Sequence, residues 1–125
     1  MKTIISTPEA PAAIGPYSQA VESGGLIFIS GQLPVDPATG NMEAADTALQ
    51  TSAVIRNIEA ILKSRALTLE NVIKTTVFMT DLGEFQKMNE VYARFFAKNP
   101  PARATVEVKA LPKSALVEIE AVAAR

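Results

Sequence analysis

The chain contains neither histidine nor cysteine, so its chemistry falls to arginine, lysine, carboxylates, hydroxyls and the main chain. Disulfides, thiol nucleophiles, Cys/His zinc sites and every histidine-based triad are removed at once. Within that restricted set one arginine stands out. In "NPPARATVEV", residues 99–108, Arg103 opens a stretch of small and β-branched residues. Its planar fork of donors suits a ligand carboxylate better than a lysine's point charge does. The last segment, "LVEIEAVA", offers Glu118 and Glu120 on one face of a strand. If strands over about 103–110 and 115–123 pair as a hairpin, a carboxylate of the second can approach Arg103. Taken from these two strands alone, the plainer outcome is a cross-strand ion pair, worth about 0–1 kcal/mol if exposed. The functional alternative is a carboxylate clamp.

Three further places could serve a site. In "GPYSQA", 15–20, a glycine and a proline fix the backbone just ahead of Tyr17, which on its own reads as a packing aromatic. In "ISGQLP", 29–34, Ser30 can hydrogen-bond and Gly31 permits close approach of a ligand to the main chain. Asn89 interrupts the apolar side of a helix, where a surface amide is the ordinary reading. Nothing matches a phosphate loop or a dinucleotide fingerprint, and no acidic cluster suggests a metal.

The elements that must hold these residues are legible from periodicity. "SQAVES" and "LIFISGQ" flank Gly24 and Gly25 as a hairpin after an irregular, proline-rich start. Over 47–65 the apolar residues Val54, Ile55, Ile58, Ile61 and Leu62 recur at helical spacing, with Gln50, Arg56, Glu59 and Lys63 facing water. "NVIKTTVFMTD" is a strand, and Asp81 with Glu84 resembles a capping box. A second helix over about 84–97 buries Phe85, Met88, Tyr92, Phe95 and Phe96, and "NPP" stops it. In the next strand Arg103, Thr105, Glu107 and Lys109 alternate with Ala104, Val106, Val108 and Ala110. The order strand, strand, helix, strand, helix, strand, strand predicts an α+β fold with both helices on one face of the sheet.

At 125 residues the chain fits one domain spanning 1–125. Twelve basic residues against 13 acidic ones, with no basic run, make nucleic acid an unattractive partner. No apolar stretch approaches a signal peptide or a membrane span, so a soluble, cytoplasmic protein without membrane association is expected. "LIFI" carries large apolar groups on both sides of its strand, while two helices can cover only one face. Exposed apolar area forfeits roughly 25 cal/mol per Å², so an oligomer is predicted.

Together, "GPYSQA", "SGQ", "PPARATVEV" and "LPKSALVEIEAVA" occur in an order and at spacings that strongly resemble the reactive intermediate deaminase A family, RidA or YjgF, over essentially the whole chain. The resemblance implies a chorismate-mutase-like mixed sheet with two helices on one face. It also implies a homotrimer, its sheets packed as a central barrel with three clefts between subunits. The implied activity is hydrolysis of enamines and imines such as 2-aminoacrylate and 2-iminobutyrate to 2-keto acids and ammonia, with no cofactor and no metal. Arg103 would bind the substrate carboxylate and Glu118 would serve the attacking water. Tyr17, Ser30, Gly31 and Asn89 fall on the other site positions. Thr105 stands where many relatives carry cysteine, which removes thiol chemistry there and leaves the main chain of residue 105 able to contact a ligand. The alternative is a protein that binds keto acids or other small carboxylates in the same cleft without turnover; a ribonuclease, a third class, suits neither the charge nor the missing histidines.

Overall fold

Gly24 and Gly25 both carry positive φ, 59° and 80°, the geometry that lets a two-residue turn follow the twist of its flanking strands. In the computed structural model, which describes residues 1–125, that turn joins β2 (Ala20–Ser23) to β3 (Leu26–Gln32). The remaining elements are β1 (Thr3–Ile5), α1 (Thr47–Lys63), β4 (Val72–Met79), α2 (Phe85–Phe95), β5 (Ala102–Glu107) and β6 (Val117–Ala124). They form one mixed six-stranded sheet in the order β1-β2-β3-β6-β4-β5. All neighbours are antiparallel except β4 and β5.

The expected hairpin of the last two strands does not form. A parallel pair needs a crossover, and α2 supplies it, returning the chain so that Arg103 lies opposite Thr75 of β4. That places β5 at the sheet edge, while β6 inserts between β3 and β4. Composition explains the choice. Val117, Ile119, Ala121 and Ala123 of β6 are all buried, whereas Ala102, Ala104 and Val106 of β5 are exposed. β6 has an apolar side suited to the centre; β5 is suited only to an edge.

The helices pack on one face against Ile27, Ile29, Val77 and Ile119, with Val54, Ile55, Ile58, Ile61 and Leu62 of α1 entirely enclosed. Asp46 caps α1, accepting from the Ala48 and Leu49 amides. Asp81 caps a short 3-10 turn ahead of α2 by accepting from Gly83, so the expected capping box with Glu84 is absent. Gln50, expected to face water, is buried instead: its amide donates to Ala44 O and its carbonyl accepts from Leu116 N at 2.8 Å. The opposite sheet face has no cover. Ile4, Val21, Phe28 and Val122 follow one another across four strands there, and Phe28 is 48% exposed.

The irregular segment between β1 and β2 is held by one buried side chain. Gln19 accepts from Thr7 N at 2.7 Å and donates to the carbonyls of Thr7, Ala10 and Pro11. Its own carbonyl accepts from Ser30 N at 3.0 Å. Gln19→Leu would leave these main-chain groups without partners. The variant is expected to lose about 1–3 kcal/mol in urea unfolding and to be cut faster by protease within residues 7–18; an unchanged midpoint and cleavage rate would show that the clamp is dispensable.

Candidate functional site

Phe85, Asn89, Tyr92 and Phe96 lie three to four residues apart along α2 and its end, so they form one stripe. Arg103 lies against it. Its Nη1 donates to Asn89 Oδ1 at 2.8 Å, and its guanidinium carbon sits 4.7 Å from the Tyr92 ring centre and 5.5 Å from that of Phe85. These contacts fix the plane of the fork through cation–π attraction and one hydrogen bond. Tyr92 is itself fixed: its hydroxyl shares a 2.7 Å hydrogen bond with Thr75 Oγ1, and its ring packs 4.6 Å from that of Phe96. Burial holds the Tyr92 phenol above its ordinary pKa, so it stays neutral.

The chain's ion pairs are Arg65–Glu22, Arg125–Glu22 and Lys87–Glu84. Arg103 therefore has no carboxylate partner, and the cross-strand ion pair with the last strand does not exist. The guanidinium instead lines a cavity of about 460 Å³ together with Asn89, Tyr92 and the segment after α2. Thr105 shares the strand side of Arg103, and its buried Oγ1 has no hydrogen-bond partner. Because β5 is an edge strand, one side of the main chain at residue 105 is unpaired.

Glu118 is elsewhere. Its neighbours Val117 and Ile119 point into the core, so its side chain leaves β6 on the uncovered face, opposite Phe78 of β4. Arg103 and Glu118 of one chain are thus on opposite faces of the sheet. The register of β3 with β6 shifts between Ile29 and Gln32. This bulge puts two residues, Ser30 and Gly31, between inward side chains where regular alternation allows one. A Cβ at Gly31 would run into the Glu118 carboxylate, 2.9 Å from its Cδ, so a larger residue there would displace that carboxylate. Ser30 Oγ donates to Ser18 O at 2.6 Å, which ties the chain next to Tyr17 to this point. Tyr17 is 53% exposed. Ser30, Gly31 and Glu118 therefore form one group with the Tyr17 segment lashed to it, and Arg103, Asn89 and Thr105 form another.

Burial raises the Glu118 pKa, and the charge of Glu120 raises it further. No cation contributes to the shift, and no ion pair involves Glu118. A raised pKa moves a carboxylate toward effective proton transfer near neutral pH. The contributions of Tyr92 and Phe85 to the Arg103 site were not visible in the sequence as function; their only signal was an asparagine set within an aromatic helical stripe. No group of three or more acidic side chains capable of holding a metal ion is present.

A family model described as endoribonuclease L-PSP matches residues 7–125. A RutC family protein of Pyrococcus horikoshii is 51% identical over 98% of both chains. The human 2-iminobutanoate/2-iminopropanoate deaminase is 45% identical over 98% of this chain and 90% of its own length. The crystal structure of E. coli TdcF with bound serine superposes with a TM-score of 0.94 at 45% identity, covering 98% of each chain.

The raised pKa of Glu118 has a thermodynamic counterpart. Ionisation opposes folding, so the cost is fully present above the folded-state pKa and vanishes below the unfolded value of roughly 4.3. Glu118→Gln removes the charge. Its urea midpoint, relative to the parent chain, is expected to be higher near pH 7 than near pH 4; a difference independent of pH would contradict the assigned environment.

Proposed function

The chain belongs to the endoribonuclease L-PSP family, that of the RidA or YjgF reactive intermediate deaminases, and from that membership we propose that it hydrolyses 2-imino acids and their enamine tautomers to 2-keto acids and ammonia. The observation that carries this reading is the pair of unsatisfied, opposite charges: a preorganised guanidinium without an anion, and a carboxylate with a raised pKa and no cation. Two copies of the chain, each presenting one half-site to the other, complete the cleft. A homotrimer built on the uncovered sheet faces does this three times and buries the row through Phe28.

In the cleft the Arg103 fork grips the substrate carboxylate while Asn89 and Tyr92 hold the fork. Glu118 of the adjoining copy orients a water and accepts its proton as the oxygen attacks the imine carbon. The C=N electron pair moves to nitrogen, giving a carbinolamine. A proton delivered to nitrogen then allows the C–N bond to break, the carbonyl forms and ammonia leaves. A substrate imine is already electrophilic once protonated, so position and one proton relay are sufficient equipment. Tyr17 closes the cleft over the substrate. Ser30 fixes the strand end, Gly31 leaves room for the carboxylate of Glu118, and the free main chain of Thr105 adds a ligand contact.

The runner-up is a carboxylate-binding protein without turnover. The separation of clamp and base favours it, since the Arg103 half-site can hold an anion by itself. Ribonuclease activity suits the chain poorly, and RNA cleavage in a crude preparation is expected to vanish on further purification.

Imine generated in situ and followed as keto acid separates these readings. Arg103→Ala is expected to lower kcat/KM about 10- to 100-fold, with poor rescue by Arg103→Lys because the fork is lost. Glu118→Gln should bind keto acid but turn over slowly. When the impaired Arg103→Ala and Glu118→Gln chains are unfolded, mixed and refolded, activity should rise above that of either alone, because some clefts receive both intact residues. Full activity in either single variant, or no recovery on mixing, overturns the shared site. In sedimentation velocity the parent chain should run as a trimer and Phe28→Lys as smaller species; a monomeric parent removes the assembly and with it the proposed cleft.

A further inference from the structure

The uncovered face of the sheet carries three charged side chains in one line. On β6, Glu118 and Glu120 are flanked by buried Val117, Ile119 and Ala121, so both carboxylates leave the same side of the strand, about 7 Å apart along it. On β4, Thr76 lies directly opposite Glu120 and Lys74 opposite Val122, which makes Lys74 the diagonal neighbour of Glu120. A lysine side chain spans that separation. Lys74, Thr76 and Glu120 line one cavity of about 140 Å³, with Phe28 on its wall. Neither Lys74 nor Glu120 takes part in an ion pair within the chain. The neighbouring strands add no charge here. β3 has no ionisable residue, the outward residues of β5 are Ala102, Ala104 and Val106, and Glu22 of β2 is taken up by Arg65 and Arg125. Tyr17 is the remaining titratable group, on the segment that Ser18 ties to Ser30. An apolar residue at 120 would extend the row of Phe28 and Val122 without placing one carboxylate beside another. The repulsion therefore calls for a use.

We propose that Glu120, with Lys74 as its counter-charge, keeps Glu118 basic enough to take a proton from water near neutral pH, acting through Glu118 and touching no substrate itself. The inference rests on the role of Glu118 in the proposed function and adds a residue to it. A negative charge beside a carboxylate disfavours its ionised form and so strengthens it as a base; the effect of Glu120 on Glu118 has this sign. Lys74 is adjacent to Glu120, whereas Glu118 pairs with Phe78, four residues further along β4. Its attraction consequently falls on the carboxylate at 120 far more than on the one at 118. One cation serving only one of two neighbouring carboxylates is an arrangement that separates their roles. The proposed contact between copies over this face would exclude water and strengthen both interactions.

The experiment compares the parent chain with Glu120→Gln and Lys74→Gln, using imine generated in situ at about pH 5 and about pH 8. Dividing each variant's kcat/KM by the parent's at the same pH cancels what all three share, including substrate protonation and Arg103 of an adjoining copy. For Glu120→Gln this quotient should be about threefold or more higher at the lower pH, the effect of deleting a unit charge roughly 7 Å away even under full screening by water. For Lys74→Gln it should be lower at the lower pH. A loss equal at both pH values is what a merely structural role gives, and it overturns the proposal. Carbon-13 NMR titration of the Glu118 carboxyl in the assembled protein reads the charge effect without turnover. Its midpoint should fall in Glu120→Gln and rise in Lys74→Gln; a midpoint that moves while the kinetic quotient stays flat also overturns the proposal. If the parent chain hydrolyses no imine, the deaminase reading falls and the midpoint alone decides: moved as stated, Glu120 still governs Glu118, and unmoved, it does not. If Glu120→Gln does not fold, Lys74→Gln decides by the same two measurements, and a midpoint that stays or falls overturns the proposal.

Discussion

The sheet is covered on one face only, and the rest of the molecule follows from that. Each strand has an inward set of side chains that packs on the helices and an outward set that does not. On β6 the inward set is continuous and apolar, so the intervening Glu118 must point outward. On the edge strand β5 the inward set carries Arg103 and Thr105, because at the margin of the helix layer a polar side chain can reach both α2 and solvent. The two residues best suited to chemistry are consequently kept apart by the sheet itself. A second copy presenting its other face is the direct way to join them, and the same contact would remove the Phe28 row from water.

Irregular backbone leading to the Tyr17, Ser30 and Glu118 group is pinned by side-chain amides. Gln19 satisfies the segment before β2, Asn57 donates to the carbonyls of Leu33 and Val35, and Gln50 joins the start of α1 to the approach of β6. Buried main-chain groups must find partners, and a carboxamide can satisfy a donor and an acceptor together. These residues set where Tyr17, Ser30 and Glu118 emerge without touching a substrate. The charges at the two half-sites are treated differently. Arg103 is held by π faces and one amide oxygen, which fix its orientation without neutralising it. Glu118 is partly desolvated with a like charge beside it, which makes it a better proton acceptor.

Much of this was legible from sequence because it depends on local pattern. The helical stripe Val54, Ile55, Ile58, Ile61 and Leu62 could hardly be read otherwise, and Gly24-Gly25 marked its hairpin. The motif residues also marked a deaminase-like family. Strand partnership was less accessible. Neither Arg103 nor Glu118 states whether their strands are neighbours; that depended on α2 acting as a parallel crossover, a long-range choice driven by which strand has the more apolar side. Gln50 was misread because a polar residue on a helix normally faces water, and the carbonyls it satisfies belong to residues 43 and 44 and the amide to residue 116. β1 was missed because three residues, Thr3 to Ile5, carry too little periodicity to separate a strand from an extended start.

The separation of clamp and base has a consequence for the chemistry. An arginine in contact with Glu118 would lower the carboxylate's pKa and make it a poor base, while the carboxylate would occupy the fork proposed to hold substrate. Placing them on opposite faces prevents that internal ion pair in a lone chain. In the cleft proposed between two copies, a substrate carboxylate on the guanidinium would leave Glu118 free for water. The edge position of β5 and the bulge at Ser30–Gly31 suit that proposed arrangement from the two sides: one exposes the arginine at a margin, and the other clears space for the Glu118 carboxylate.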